Sequence, residues 1–168
     1  MDDMLNVAHL VVICEQIEGR KKLQKIVHIL QEAGHPFREE FDYLHFGPYS
    51  SALKREIDEL ILPQVGLVEE EPTPAEGQYK SYVYRPTAKL RENLGRLHLS
   101  GTPAWANLAR ALNTMSASDL EAVSTILFLR RRGFTGERLE RRFKELKSHL
   151  ESGWELARTR AETYVTTH

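Results

Sequence analysis

The sequence predicts an α+β fold, mostly helical, and three features of its 168 residues carry that expectation. Apolar residues recur at helical spacing over most of the chain. Residues 67–71 and 78–85 are β-prone runs flanking the loop Pro72-Thr73-Pro74-Ala75-Glu76-Gly77, the pattern of a two-stranded β-hairpin. From Ser100 on the strand signals cease. The chain therefore divides into a part over 1–99 and a helical extension over 100–168, which either packs on the first part or mediates dimerisation.

The elements follow in order. Leu5, Ala8, His9, Val12 and Ile13 lie at helical spacing behind Asp2 and Asp3, so a first helix is expected over residues 2–17, with Gly19 ending it. A second helix starts at Arg20, buries Leu23, Ile26, Val27 and Leu30, and stops at Gly34. Its first turn holds Arg20, Lys21 and Lys22, which oppose the helix dipole. That cost raises the question of a use for the charges, set against a solvated basic end facing Glu15 and Glu18.

Residues 36–46 alternate loosely, with Phe37, Phe41 and Tyr43 on one face and Arg38, Glu40 and Asp42 on the other, as in a half-exposed strand. His45-Phe46-Gly47-Pro48-Tyr49-Ser50-Ser51 then turns strand into helix. Gly47 permits the turn, Pro48 fixes φ, Tyr49 is placed to wedge helix against sheet, and Ser50 or Ser51 caps the helix. That helix buries Leu53, Ile57, Leu60 and Ile61 and closes at Pro63 and Gly66. After the hairpin, Thr87 caps a fourth helix running to about Leu99, with Ala88, Leu90, Leu94 and Leu97 as its apolar side. Three helices closed by a two-stranded hairpin make the N-terminal part winged helix-turn-helix-like, the helix before the hairpin being the reader and the hairpin the wing.

In the extension, Thr102-Pro103 opens a helix to about Asn113 with Trp105, Leu108, Ala109 and Leu112 inward. Ser118-Asp119-Leu120-Glu121 matches a capping box and opens a helix, 120–132, that is apolar almost all round. A last long helix begins near Thr135-Gly136, with Leu139, Phe143, Leu146 and Leu150 forming a narrow seam. With Trp105 and Trp154, that seam makes a homodimer an option.

Composition excludes several classes. The formal net charge of −1 gives no global field for DNA or an anionic membrane, so any attraction must be local. The one cysteine, Cys14, rules out an internal disulfide and reads as a buried, inert thiol. The acidic start and the lack of a membrane-length apolar run point to a cytoplasmic protein with no membrane contact. The seven histidines form no ligand-spaced cluster, and no nucleophile elbow, phosphate-binding loop or dinucleotide fingerprint occurs. His45 beside Tyr43 and Tyr49 reads as structural. Neither catalytic, cofactor-binding nor metal-ligating residues are assigned, and the expectation is a non-enzyme with no cofactor.

For DNA, Lys54 and Arg55 sit in the half of the reading helix that would enter a major groove, with Glu56, Asp58 and Glu59 behind them. The wing is acidic at Glu69, Glu70, Glu71 and Glu76 against Lys80 and Arg85, which opposes phosphate. Arg130-Arg131-Arg132 and Arg138, Arg141, Arg142, Lys144 and Lys147 could form a second basic patch or be the solvated backs of buried helices.

Gly19-Arg20, Leu23-Gln24-Lys25, Phe41, Tyr43, Gly47-Pro48-Tyr49-Ser50, Leu53 and Gly66-Leu67-Val68-Glu69, in this order over residues 19–71, resemble the Panacea (SocA-like) antitoxin domain and the related YwgA-type bacterial proteins. The long helical C-terminal part makes the chain look closer to the YwgA type, which is uncharacterised. The resemblance implies action by protein contact, neutralising a toxin or presenting it for proteolysis, and in some members DNA binding. The expectation is a regulatory or adaptor protein that binds a protein partner. The alternative is a winged-helix DNA-binding transcriptional regulator. Arg20, Lys21, Lys22, Lys54 and Arg55 are the candidate partner- or DNA-binding residues, and Gly47, Pro48, Tyr49 and Ser50 form the structural junction.

Overall fold

The computed structural model describes residues 2–74, 81–99 and 101–165. Helix α1 (Asp2–Cys14) ends earlier than its pattern suggests, because Glu15 takes a left-handed φ of 64° and turns the chain out. Strand β1 (Ile17–Glu18) follows and pairs antiparallel with Tyr84 and Val83. A strand, and not a bare glycine turn, therefore precedes α2 (Arg20–Glu32), whose stripe of Leu23, Ile26, Val27 and Leu30 is fully buried.

The expected strand over 36–46 is only β2 (Asp42–Leu44), which turns at His45 and Phe46 and pairs with β3 (Gly47–Tyr49). Upstream, Gln31 does what a neighbouring strand would have done. Its amide donates to the Glu39 carbonyl and its oxygen accepts from the Glu39 N–H, both at 2.8 Å. The junction is thus a tight hairpin before it is a helix start. Ser50 then caps α3 (Ser51–Ile61), its Oγ accepting from the Leu53 N–H at 3.1 Å.

Strands β4 (Val68–Pro72) and β5 (Tyr82–Pro86) form the second hairpin, and the sheet order is β1-β5-β4. The tip over residues 75–80, with Glu76 and Lys80, lies outside the described residues. Thr87 caps α4 (Ala88–Arg96) through the Leu90 N–H as expected, but the helix stops short of Leu97 and leaves that side chain exposed with Ala88.

The extension departs from its pattern in three places. Helix α5 (Ala106–Asn113) begins after Trp105, later than the Thr102-Pro103 signal. Helix α6 (Ala117–Arg131) is capped by Ser116, which accepts from the Asp119 N–H, so Ser118 and Glu121 do not form a capping box. The single last helix is α7 (Gly136–Leu146), a 3-10 turn (Ser148–Gly153) and α8 (Trp154–Val165), interrupted at Lys147. The bundle packs α6 on α2 and α8, and α5 on α1 and α2, so one apolar cluster runs from Val7 to Ala161. Trp105, Leu139, Phe143 and Trp154 are buried inside it, which removes them as anchors for a second copy.

What fixes the first hairpin is a grip from α2. Gln24 donates to the Ser50 carbonyl at 2.8 Å and accepts from the Ser50 N–H at 2.9 Å. One turn position along, the Lys25 ammonium donates to the Pro48 carbonyl. Gly47, at φ 89°, lies so close to α6 that an added Cβ would sit 3.2 Å from Thr125 Oγ1 and 3.6 Å from Glu121 Cγ. Gln24→Ala strands the buried Ser50 N–H and is expected to destabilise the protein by about 1–3 kcal/mol. Gly47→Ala adds left-handed strain of about 1–2 kcal/mol to the crowding. Urea unfolding of both variants tests this; midpoints within error of the parent would show that the grip does not hold the fold.

Candidate functional site

The candidate cations do not share one surface. Arg20 is clasped inside the N-terminal part: its guanidinium pairs with Asp58 of α3 and, at 3.1 Å, with Glu70 of β4, while Nε donates to the Tyr84 hydroxyl at 2.9 Å. Tyr84 in turn donates to Glu70 at 2.7 Å. This network ties α2, α3 and the β4–β5 hairpin together, so Arg20 is a strut. Burial, and then the hydrogen bond to Glu70, raise the Tyr84 phenol above its ordinary pKa against the opposing pull of Arg20, while burial works against the Arg20 charge and its bonds to Asp58, Tyr84 and Glu70 outweigh it. Lys22 reaches across to the Asn113 carbonyl of α5. Lys54 pairs with Asp58 at 2.7 Å, one turn along α3, and both Lys54 and Arg55 are exposed on that helix. On the sheet, Glu69 and Glu71 face outward and Arg85 is held by Glu71 at 2.6 Å.

The basic patch expected on the extension is largely neutralised within the chain. Arg130 pairs with Glu162 and Arg131 with Glu32, Arg142 with Glu145 and Lys144 with Glu140, and Arg132 stacks over Phe128 at 4.4 Å. Lys147 is no surface residue. Its side chain is 2% exposed and bonded to Glu121 at 2.8 Å and to the His45 carbonyl at 3.3 Å.

Lys21 belongs with Lys147. It pairs with the other oxygen of Glu121 at 2.9 Å and lies over the Phe46 ring at 4.9 Å. Burial works against the Glu121 charge, but the hydrogen bonds from Lys147 and Lys21 outweigh it and hold the carboxyl below its ordinary pKa. Lys25, 1% exposed, is pulled down to about 8 by burial and by Lys21 and Lys147, against the attraction of Glu121. Above this cluster the hairpin projects Leu44 and Phe46, 49% and 59% exposed, with His45 between them. Tyr49, Gln24, Lys25 and Gly47 wall a cleft of about 320 Å3 on one side of the tip, lined almost wholly by apolar surface. Of the junction residues, Gly47, Pro48 and Ser50 are buried and Tyr49 is half-buried, and all four serve to position this tip.

Several residues that matter here were read from sequence as ordinary surface or pattern positions. Glu39 and Glu56 converge beneath the start of α3, each with a buried oxygen that accepts no hydrogen bond, and Ser50 Oγ lies 3.5 Å from Glu39. Burial first, then the Glu39 carboxyl, push Glu56 up to about 8. His28, bonded to Ser124 at 2.6 Å, is driven down to about 3 by burial and the nearby Lys25 and Arg131, and is neutral. Gln24 and Lys25 are singled out in the sequence only through the Leu23-Gln24-Lys25 string of the resemblance, and the structure buries both of them on α2. Cys14 is half-buried, its thiol raised to about 11 chiefly by burial. No helix among the described residues is long and apolar enough to cross a membrane.

Over 113 residues the chain is 35% identical to a protein of Bacillus subtilis (strain 168) named uncharacterized protein YwgA. The matched stretch is 67% of this chain and spans 66% of that protein, a little under two thirds of its length. No family model matches the chain, and no solved structure matches it.

The carboxyl pair gives a pH dependence of defined sign. Between the ordinary carboxyl value of 4.5 and about 8, the folded chain keeps a proton on Glu56 that the unfolded chain releases. Its contribution to stability is therefore present at low pH and is lost as pH rises through that window. Glu56→Gln is expected to flatten the decline and to be more stable than the parent at pH 8. Equal slopes of unfolding free energy between pH 5 and 8 would show that the pair holds no proton.

Proposed function

We propose that this YwgA-similar chain is a non-enzymatic regulatory or adaptor protein that acts through protein contact, built on a winged-helix-like N-terminal module. The order α1-β1-α2-β2-β3-α3-β4-β5, with β1 added beside β5, supports that module, in which α3, the helix before the β4–β5 hairpin, would be the reader. The observation that carries the protein-contact reading is the exposed pair Leu44 and Phe46 on the β2–β3 tip, beside a helix whose Lys54 is already occupied by Asp58. Projecting apolar side chains next to a charge-paired face suit a protein surface. Glu59, Glu69 and Glu71 would meet phosphate with repulsion. The partner class implied by the antitoxin resemblance is a toxin or another protein delivered to a protease.

DNA binding stands as the second reading because Arg55 is exposed in the N-terminal half of α3. Two measurements separate the readings. A photo-crosslinking amino acid in place of Phe46, in cells of the protein's own host, is expected to give one discrete adduct with another protein, lost on Leu44→Glu. An adduct with itself alone would identify a homodimer, and no adduct would overturn the proposal. Purified chain mixed with duplex DNA at low salt is expected to give no shift. A shift that collapses with salt and disappears in the Lys54→Glu, Arg55→Glu double variant would put the DNA reading in its place.

A further inference from the structure

Where the end of α1 meets α4 and α5, a cleft of about 550 Å3 opens, a size that suits a small organic ligand. Val12, Ile13, Leu94 and Leu99 give it apolar walls. Its charged groups are Glu15, just past α1, Arg91 of α4 and Arg110 of α5. Among the described residues none of these three side chains makes a hydrogen bond or an ion pair. They differ in this from Lys21, Lys147 and Glu121, which satisfy one another. The other titratable groups of the lining carry no charge at neutral pH. Burial lowers the His9 imidazole, against a backbone hydrogen bond at Gly101, and raises the Cys14 thiol to about 11. Lys22 acts on that thiol, but it is held on the Asn113 carbonyl and does not line the cleft.

The cleft thus offers both signs of charge. Helix α1 ends here with no basic residue in its last turn, so its carbonyl end adds a partial negative charge beside Glu15. The two guanidiniums are planar donors suited to a carboxylate. Glu15 is held at a left-handed φ of 64°, a conformation that side chains resist, and His98, the other such non-glycine among the described residues, directly precedes the wall residue Leu99. The mouth is open, with Glu15, Arg91, Leu99 and Arg110 all exposed around it.

We propose that this cleft binds a zwitterion with an aliphatic body, a free amino acid or a short peptide, its carboxylate on Arg91 and Arg110 and its ammonium on Glu15 and the carbonyl end of α1. The aliphatic side chains lie against Val12, Ile13, Leu94 and Leu99. A plain carboxylate would leave Glu15 unmatched, and a plain amine would leave both arginines so; only a ligand carrying both charges answers every group. The cleft shares no residue with the β2–β3 tip, so the site goes beyond the protein-contact reading and does not rest on it.

Calorimetric titration of the purified full chain tests the site with leucine, leucyl-leucine, N-acetylleucine and leucinamide. At least one of the two zwitterions is expected to bind saturably, and at least about tenfold more tightly than the acetylated acid, which lacks the ammonium, and the amide, which lacks the carboxylate. Whichever of leucine and leucyl-leucine binds more tightly identifies the source of the ligand. The charged residues are exposed, so their variants are expected to fold, with thermal unfolding as the check. The Arg91→Gln, Arg110→Gln double variant is expected to weaken the zwitterion by at least about tenfold. Glu15→Gln is expected to bring its affinity to that of N-acetylleucine. Absence of saturable binding by either zwitterion, equal binding of a capped form, or affinity unchanged in the double variant or in Glu15→Gln would each overturn the assignment. Because the chain is titrated alone, the outcome is independent of whether a partner protein is captured at Phe46.

Discussion

Much of the N-terminal part depends on two adjacent side chains of α2 holding a short hairpin that cannot hold itself. Strands β2 and β3 are three residues each, and an isolated hairpin of that length is not stable in water. Gln24 hydrogen-bonds both backbone groups of Ser50 as another strand would, and Lys25 anchors the Pro48 carbonyl two residues earlier. Ser50 is also the cap of α3, so the same grip that fixes the hairpin fixes the direction in which α3 leaves it. The exposed tip and α3 are therefore set by one contact.

That contact in turn depends on the extension. Gly47 presses against Thr125 and Glu121 of α6, and Lys147, just past α7, bonds both Glu121 and the His45 carbonyl. A buried ion pair of this kind adds little net stability over apolar packing, because desolvation offsets much of the attraction. What it specifies here is position. A hydrophobic contact would let the tip slide on α6, whereas Lys147 and Lys21 on opposite oxygens of Glu121 allow one arrangement.

These dependencies explain which parts of the structure were legible in the sequence. The stripes of α2 and α3 and the caps at Ser50 and Thr87 are local patterns, and they stand where periodicity and capping chemistry put them, whereas Ala88 and Leu97 of the α4 stripe are exposed. Strand β1 was invisible because two residues carry no alternation and its partner lies over sixty residues away, at Val83 and Tyr84. The strand expected upstream of the hairpin failed because Gln31 supplied the hydrogen bonds of a neighbouring strand to Glu39. Ser118-x-x-Glu121 has the letters of a capping box, but Glu121 had two lysines to meet in the core and Ser116 capped the helix in its place. Lys147 reads as one more basic residue in a charged helix, and only the break between α7 and the 3-10 turn brings it inward. Of the candidate site residues, Lys54 and Arg55 lie on the surface where expected, while Arg20, Lys21 and Lys22 were legible as a basic turn but not as three separate structural contacts.

The near-zero net charge hides a separation that decides how the surface behaves. Many cations on α3, the hairpin and the extension are paired with carboxylates a turn or a strand away, as Lys54 is with Asp58, Arg85 with Glu71, Arg142 with Glu145 and Lys144 with Glu140, which gives those faces short-range polarity. Under the tip the pairing is buried instead: Lys21 and Lys147 take the two oxygens of Glu121, and Lys25 is held on the Pro48 carbonyl beside them. In a chain whose net charge is near zero, the buried carboxylate of Glu121 thus serves to fix the tip that carries Phe46, two lysines from different elements meeting on it.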